Sequence, residues 1–365
     1  MTKLLTVFAV SMILAYMSEK NILTFRRKNG KTVDLALIAM CVVMSLFCGL
    51  RTSYNDTGAY IVGFNNAPPP AEFLASKPNL LGNPAFYLLQ SIFKYTISDN
   101  ANLFLLCVAT FSVSVMVVFV RRYSKSFAFS MVMLFSLGLY LSNFAATKQC
   151  IAISIVLLGI PALLKREYVK YIVVVFVASL FHSYALMLII LPLFLNKPWS
   201  KIIYITIFAF VIVIFTFETT ISSFLDLADS LGKEIADEVV FGSQGINLFR
   251  LSVFSIPVIV SFLFRYRIKV TEAVSSDVYL FINMAILSFL VMGLGIFNAA
   301  NLFGRSANYF QIGAVISLPW MIKRVFEKKS TNVILGIAVF CYLFFLWYGN
   351  RDFDINHISI IELFK

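Results

Sequence analysis

Four basic residues stand at the ends of long apolar runs, where charged side chains are costly: Arg51, Lys148, Arg250 and Arg305. The planar guanidinium of arginine donates two parallel hydrogen bonds to a phosphate or carboxylate group, whereas the lysine ammonium is a compact point charge. Ionisable groups at such positions usually face a bundle interior or a water-filled cavity. Together the four residues predict an electropositive pocket that binds an anion.

Polar residues accompany two of these cations. Asp56 follows Arg51 closely, and its carboxylate is suited to accept a hydroxyl proton or to orient the arginine. Tyr309 lies four residues after Arg305, so both side chains share one helix face and a sugar could contact the tyrosine beside a bound anion. The alternative for Arg51 is a snorkelling surface arginine before an ordinary Asn-Asp-Thr-Gly turn.

Further candidates have equally plain alternatives. Lys148 and Gln149 open an apolar run, where a snorkelling lysine is ordinary. His182 is suited to act as a general base or a hydrogen-bond donor, although a lone histidine is more often a packed, hydrogen-bonded residue. Arg250 follows an acidic segment, and an ion pair with that segment would explain it without a ligand.

The composition predicts an integral membrane protein. The chain has 365 residues, of which 60% are hydrophobic and 13% charged, whereas soluble domains carry about 25% charged residues. A helix that crosses about 30 Å of hydrocarbon needs about 17–25 residues. We predict an all-α fold with about twelve transmembrane helices: 3–17, 33–50, 101–120, 127–143, 149–164, 168–182, 183–196, 202–217, 248–264, 278–298, 303–322 and 332–348.

The basic residues set the expected orientation. Most of the 30 lysines and arginines lie in six short segments that occupy every second gap between spans: SEKNILTFRRKNGK, RRYSK, KREYVK, NKPWSK, RYRIK and KRVFEKK. Positive charge in short loops is retained in the cytoplasm, so these gaps face inward and both termini face outward. Most of the net charge of +12 is then explained by the basic residues of the inward-facing gaps, and we expect no nucleic-acid partner.

Two outward loops are long. Residues 51–100 contain three consecutive prolines that stop a helix, followed by a predicted interfacial helix over 84–95. Residues 218–247 predict an amphipathic helix with an acidic outer face. A calcium site is an alternative there, although the ordered acidic loop of known calcium sites is absent. The five cysteines fall in or beside apolar runs and lack metal-ligand spacing, so we expect neither disulfides nor a metal.

Four short motifs resemble those of the EpsG family of bacterial membrane proteins. They are G-x-R-x-x-x-N-D-x-x-x-Y from Gly49 to Tyr60, K-Q-x-x-A from Lys148 to Ala152, L-F-H-S from Leu180 to Ser183, and R-x-x-x-Y-F from Arg305 to Phe310. Their shared order in a polytopic chain is the specific part of the resemblance. Lys148 departs from the arginine that the family usually carries before glutamine, which keeps the charge and loses the bidentate fork.

The resemblance implies a Wzy-type polymerase of exopolysaccharide, capsule or O-antigen repeat units, with a fold like the GT-C transferases and O-antigen ligases. Such an enzyme lies in the bacterial cytoplasmic membrane with its active site outward, and transfers a growing glycan from undecaprenyl pyrophosphate to a sugar hydroxyl of the next lipid-linked unit. It implies no cofactor, and it implies a flippase and a chain-length regulator as partners.

The same resemblance suggests roles for the candidate residues. The expected pyrophosphate ligands are Arg51, Lys148, Arg250 and Arg305. Asp56 and His182 are the catalytic candidates, with Asp56 preferred for the hydroxyl proton. The expected sugar contacts are Asn55, Tyr60, Gln149 and Tyr309.

Three alternatives remain open at this point. A lipid-linked oligosaccharide flippase also needs many spans and a cationic cavity, but it would expose cations toward both sides of the membrane. A glycosyltransferase that uses a single polyprenyl-phosphate sugar would share nearly all of these features. A membrane acyltransferase would take its acyl donor from the inside, which fits poorly with His182 at an outer boundary.

Overall fold

The computed structural model describes residues 1–26, 32–216, 245–269, 276–297 and 299–364. These residues form an α-helical protein, as predicted, and they also contain a single small sheet. The helices of the first half are α1 (Thr2–Glu19), α2 (Leu35–Gly49), α3 (Thr57–Asn65), α4 (Pro70–Ala75), α5 (Pro84–Thr96), α6 (Ala101–Tyr123), α7 (Phe127–Ser136), α8 (Ser142–Ala145) and α9 (Thr147–Leu164).

The second half continues the helical pattern. Its helices are α10 (Tyr168–Ser179), α11 (Lys201–Phe215), α12 (Leu248–Leu263), α13 (Arg265–Lys269), α14 (Ser276–Leu294), α15 (Ala300–Val325) and α16 (Lys328–Gly349). The described residues also form 3₁₀ helices at Leu80–Gly82, Ser183–Phe194 and Ile360–Phe364. Each predicted membrane span overlaps one or two of these helical segments.

Among the described residues, five helices are long and apolar enough to cross a membrane: α1, α6, α9, most of α14 and most of α16. Six shorter apolar helices of 10–17 residues accompany them in the same part of the chain. Large apolar side chains such as Phe208, Phe215 and Phe340 are exposed on the helix surfaces, as lipid-facing residues would be. The chain is thus a multi-pass membrane protein, while the number of twelve crossings stays a prediction.

Two predicted spans differ in detail. The span 127–143 is not one continuous helix, because α7 ends at Ser136 and Gly138 adopts φ +84°, a left-handed conformation that glycine tolerates. The span 183–196 is a 3₁₀ helix rather than an α-helix. The predicted break at Phe181-His182-Ser183 is confirmed, since α10 ends at Ser179 and the 3₁₀ helix begins at Ser183.

The chain divides into two compact units. The first comprises Met1–Gly159, Phe176–Ser183 and Ala338–Lys365. The second comprises Ile160–Val175 and Tyr184–Ile337.

Two predicted basic segments meet at one end of the first unit, where α1 and α6 end and α2 begins. Arg121 donates from Nε to Ser18 Oγ at 2.9 Å, and the same nitrogen lies 3.8 Å from Asp34 Oδ2. Asp34 also caps α2, because its carboxylate accepts from the Leu37 amide at 3.0 Å. One carboxylate and one guanidinium therefore fix the ends of three helices.

The same end carries an element that the sequence analysis missed. Strands β1 (Thr24–Arg26) and β2 (Thr32–Asp34) pair antiparallel, with Phe25 opposite Val33. The sequence between them contains Asn29-Gly30, a dipeptide typical of hairpin turns. That dipeptide was the available signal.

The second unit is built on the close packing of α14 against α15. A Cβ atom at Gly313 would lie 2.4 Å from the Phe281 carbonyl oxygen, so only glycine fits this crossing. Asn283 on α14 donates to the Phe194 and Asn196 carbonyl oxygens at 2.7 and 2.8 Å. These contacts hold the end of the Ser183–Phe194 helix against α14.

The 51–100 segment, predicted to be an outward loop, is helical over much of its length. The three consecutive prolines lie between α3 and α5, and the last of them begins α4. The helix predicted over 84–95 is confirmed as α5, with Pro84 at its first position, where the missing amide proton costs nothing. The acidic helix predicted in 218–247 lies outside the described residues, apart from 245–247.

A substitution at Gly49 tests the close packing of α2 against α6 in the first unit. A Cβ atom there would lie 2.6 Å from Leu106 Cδ1 and 2.7 Å from Leu106 Cα, so Gly49→Ala forces α2 away from α6. We expect a loss of about 1–3 kcal/mol in stability, the usual cost of overpacking, read as a lower melting temperature in detergent. Gly336→Ala is the matched control, because its Cβ would meet no atom within 4 Å. Equal melting of both variants would contradict the close α2–α6 approach.

Candidate functional site

Arg51 lies completely buried just beyond the end of α2. Its Nε donates to Thr57 Oγ1 at 3.0 Å, its Nη1 to the Cys48 carbonyl oxygen at 2.8 Å, and its Nη2 to Thr147 Oγ1 at 2.9 Å. No carboxylate of the described residues forms an ion pair with it. The guanidinium thus connects α2, α3 and α9 through neutral acceptors while its positive charge stays uncompensated by this part of the chain.

The loop from Arg51 to Asp56 has an unusual backbone. Tyr54 has φ +120° and Asn55 has φ +42°, a region that costs side chains other than glycine about 1–3 kcal/mol. Asn55 is exposed, Asp56 is half-buried at the N-terminus of α3, and burial raises the pKa of the Tyr54 phenol. The strained turn presents Asn55 and Asp56 at the surface, directly beside the buried arginine.

The C-terminal segment covers this loop. Arg51 and His357 form an isolated antiparallel bridge, flanked by the hydrogen bonds Thr52 N–Asn356 O and Ile358 N–Leu50 O, each 2.9 Å. The chain on either side of Arg51 is therefore paired as a short two-stranded ladder.

Aromatic side chains pack over the two-stranded ladder around Arg51. His357 Nε2 lies 2.8 Å from the Phe47 carbonyl oxygen, and the two rings pack with their centroids 4.8 Å apart. Phe353 is buried against Tyr54 and Phe144, with centroids 5.1 and 5.9 Å away. Residues 353–358 exclude water from the guanidinium on this side.

The N-terminal residues also bind the C-terminal segment that pairs with the chain around Arg51. The terminal ammonium group donates to the Phe353 carbonyl oxygen, and Lys3 Nζ donates to the Ile355 carbonyl oxygen at 2.7 Å. Met1 and the segment from Phe353 to Ile358 therefore lie at the Arg51 end of the first unit. Arg121 and the β1–β2 hairpin lie at the opposite ends of helices α1 and α2.

Lys148 lies one residue beyond the hydroxyl that Arg51 contacts. Its Nζ donates to the Tyr87 hydroxyl oxygen at 2.8 Å and lies 4.6 Å from the centroid of that ring and 5.6 Å from that of Phe86. Lys148 is half-buried and Tyr87 is 39% exposed. In the first unit the accessible cation Lys148 therefore follows directly in the chain on Thr147, whose hydroxyl accepts from the buried cation Arg51.

Helix α5 brings the His182 turn toward this cation. The Ala85 amide donates to the Leu180 carbonyl oxygen at 2.9 Å, and the Ser183 amide donates to Asn83 Oδ1 at 3.1 Å. His182 itself is half-buried between these two contacts. The turn predicted from L-F-H-S therefore packs on the start of the helix that carries Tyr87.

An aromatic cluster supports the helices beneath. Tyr60 packs edge-on against Phe86 with centroids 5.7 Å apart, and Phe64 stacks on Phe104 at 5.2 Å. Tyr60 and Gln149 are buried, so these two predicted sugar contacts lie behind the surface, whereas Asn55 is exposed. The cluster fixes α3, α5 and α6 as one support for the residues above it.

The remaining candidates belong to the second unit. Arg250 is exposed near the start of α12, with Cζ 5.7 Å from the Phe254 ring centroid. Its alternative partner, the acidic segment, lies outside the described residues. Arg305 and Tyr309 share α15, where the arginine is half-buried and the tyrosine buried. Among the described residues, no cluster of three or more His, Cys, Asp or Glu is arranged to hold a metal.

The structure thus places Arg51, Asn55, Asp56, Tyr60, Lys148, Gln149 and His182 in the first unit. Sequence reasoning missed Tyr87, Thr57 and Thr147, and left His357 unassigned. The two threonines had a signal, since each lies inside or beside a motif already singled out. Tyr87 had none beyond its place on the predicted interfacial helix, because its partner Lys148 is distant in sequence.

The packing of His357 predicts a pH dependence. Burial lowers the pKa of the imidazole, the hydrogen bond to Phe47 opposes this, and the charge of Lys3 lowers the pKa further. Arg51 is the other charged group at the bridge. Because the unfolded segment binds a proton more readily than the packed one, the contribution of His357 to stability is complete above its ordinary pKa of 6.5 and is lost as the pH falls below it.

We therefore expect faster amide hydrogen exchange in residues 352–364 at pH 5.5 than at pH 7.5, after correction for intrinsic rates. His357→Gln, which cannot titrate, should remove this difference. The chain has two histidines, so His182→Gln is the matched control. It should retain the difference in exchange rate between pH 5.5 and pH 7.5. If the same difference in exchange rate persists in His357→Gln, His357 is not its source.

Comparison with known proteins assigns the chain to a family. No curated protein and no solved structure matches it significantly. The model of the EpsG family matches residues 34–361, nearly the whole chain, and includes Arg51, Lys148, His182, Arg305 and the C-terminal bridge. The chain belongs to the EpsG family, whose members are Wzy-like polymerases.

Proposed function

We propose that this protein joins lipid-linked oligosaccharide repeat units into a polysaccharide at the outer face of the bacterial cytoplasmic membrane. The growing glycan is transferred from undecaprenyl pyrophosphate to a sugar hydroxyl of the next lipid-linked unit. Family membership supports a role of the polysaccharide-polymerase type. The observation that carries the finer proposal is the Arg51–Thr147–Lys148 arrangement. Arg51 donates to the Thr147 hydroxyl, Lys148 is the next residue and donates to the Tyr87 hydroxyl, and neither cation has a carboxylate partner among the described residues.

The reaction places its charge where these cations act. An acceptor hydroxyl oxygen bonds to the anomeric carbon, the bond from that carbon to the phosphate oxygen breaks, and the electron pair leaves with the lipid pyrophosphate. Negative charge on the pyrophosphate grows toward the transition state, so fixed cations stabilise it more than the ground state. In the first unit, Lys148 contacts the pyrophosphate and Arg51 adds positive potential. For Arg250 and Arg305 of the second unit, the proposed role as pyrophosphate ligands is supported by their charge alone.

The acceptor proton needs a base near the exposed edge of the site. Asp56 is half-buried at the start of α3, two residues from the strained Tyr54, and is the proposed base. His182 is the second candidate on the turn that packs against α5. Asn55 is the proposed direct sugar contact in the first unit, where the buried Tyr60 and Gln149 support the residues around it. Tyr309 is the proposed sugar contact of the second unit. A flippase and a chain-length regulator are the proposed partners.

Reconstitution tests the function directly. Purified protein in liposomes is supplied with oligosaccharide repeat units on undecaprenyl pyrophosphate, and product length and released carrier are measured together. We expect a ladder of glycans with one lipid pyrophosphate released for each new bond. Movement of labelled lipid-linked sugar between leaflets without any new bond would instead identify a flippase, and a product of one added sugar would identify a single-sugar transferase.

Two substitutions separate the accessible cation from the buried one. Lys148→Met removes a charge at the surface, so we expect a normal melting temperature and a loss of polymerisation on the order of 100-fold. Arg51→Met leaves the Cys48 carbonyl and two threonine hydroxyls without their donor. We therefore expect it to reduce polymerisation and also to lower the free energy of unfolding by about 1–3 kcal/mol.

Lys77→Met is the matched control, because Lys77 is an exposed lysine of the same 51–100 segment. It should retain full activity and stability. Lys148→Met with wild-type turnover would remove Lys148 from the site, and Arg51→Met with a wild-type melting temperature would show that the buried guanidinium does not hold the three helices.

A further inference from the structure

Tyr87 stands out among the side chains that the proposed mechanism does not use. It lies in the first turn of α5, is 39% exposed, and packs its ring edge-on against the buried Phe86 with centroids 5.8 Å apart. Phe86 in turn packs on Phe104 at 6.0 Å in the aromatic cluster. The phenol is therefore held firmly at its base, while its hydroxyl reaches the surface beside Lys148.

The hydrogen bond between the two side chains has a fixed direction. Lys148 carries three N–H donors and no acceptor, so the Tyr87 oxygen accepts at 2.8 Å and the phenolic proton points elsewhere. No acceptor for that proton occurs among the described residues. An ammonium that donates to a hydroxyl oxygen also strengthens the hydroxyl as a donor, since hydrogen bonds in a chain polarise one another. Tyr87 is thus a directed donor beside a cation.

The two donors suit one kind of ligand. A phosphate oxygen accepts from several donors at once, and an N–H of Lys148 and the O–H of Tyr87 lie close enough to reach the same phosphate group. The two aromatic rings around Lys148 limit how many waters can compete for its ammonium. Arg51 contributes a second positive charge to this part of the unit, since its guanidinium donates to the hydroxyl of Thr147, the residue before Lys148. A neutral sugar would leave both charges without an anion.

We propose that Tyr87 and Lys148 together form the primary phosphate-binding pair of this site, with Tyr87 as a ligand-contacting donor. The inference rests on the proposed function for the identity of the ligand, a lipid-linked pyrophosphate. The binding chemistry requires only a phosphate group. The pair makes the exposed face of the site, and Arg51 stays behind it as a buried charge.

The test is binding, measured on the full-length protein in nanodiscs without any acceptor, so that no polymerisation is needed. The probes are undecaprenyl pyrophosphate, inorganic pyrophosphate and a neutral disaccharide. Tyr87→Phe removes only the hydroxyl and Lys148→Met only the ammonium. We expect each to weaken binding of undecaprenyl pyrophosphate about tenfold or more, as for loss of a hydrogen bond to a charged group.

The double variant tests whether the two residues act as a unit. Because the ammonium orients and polarises the phenol, the combined loss should be clearly smaller than the product of the single losses. Tyr95→Phe is the matched control: Tyr95 is an exposed tyrosine on the same helix, with Lys94 Nζ 5.5 Å from its ring centroid. It should bind all three probes as wild type does.

The outcomes separate this inference from the proposed function. Wild-type affinity in Tyr87→Phe, or a loss seen only with the disaccharide, would overturn the phosphate pair even where polymerisation is observed. Tight binding that depends on Tyr87, in a protein that forms no glycan ladder, would retain the pair and overturn the polymerase. A parallel loss for inorganic pyrophosphate supports recognition of the phosphate group itself, and a loss for the lipid-linked form alone supports recognition that also needs the polyprenyl chain.

Discussion

The guanidinium of Arg51 is the interaction on which the rest of the first unit depends. A buried charge is costly unless hydrogen bonds replace its water, and here two threonine hydroxyls and one carbonyl oxygen do so. Each acceptor belongs to a different helix or helix end, so satisfying one side chain fixes the end of α2, the start of α3 and the start of α9. The proposed base Asp56 and the accessible cation Lys148 are each one residue from such an acceptor.

This arrangement divides the work between two cations. Arg51 is shielded by the ladder around His357, where effective dielectric is low and a charge acts more strongly on its surroundings than it does in water. Lys148 keeps partial access to solvent and to a ligand. A carboxylate beside Arg51 would have cancelled the field, and the described residues supply hydroxyls instead. The burial of the arginine is therefore consistent with a role in the site that needs no direct contact with a ligand.

Much of the helical frame could be predicted from sequence because hydropathy and charge are local properties. The run 101–120 corresponds to α6, and the meeting of Arg121 with Ser18 agrees with both segments facing the same side. The left-handed Gly138 was less visible, since an apolar run gives no sign of a break within it. The bridge between Arg51 and His357 joins residues at opposite ends of the chain, and only tertiary packing creates it. For the same reason the sequence could identify Arg51 as a candidate but could not show that it is buried.

The pairing of Lys148 with Tyr87 gives a physical account of one departure from the family pattern. The resemblance led us to expect arginine before Gln149, and a lysine there loses the two-pronged donor geometry that suits phosphate. The Tyr87 hydroxyl lies 2.8 Å from Lys148 Nζ and has its own proton to donate. Ammonium and phenol together thus present two donors around one positive charge, as a guanidinium does from a single side chain. The same chemistry can be assembled from two residues, provided that α5 is held against α9 as firmly as the aromatic cluster holds it here.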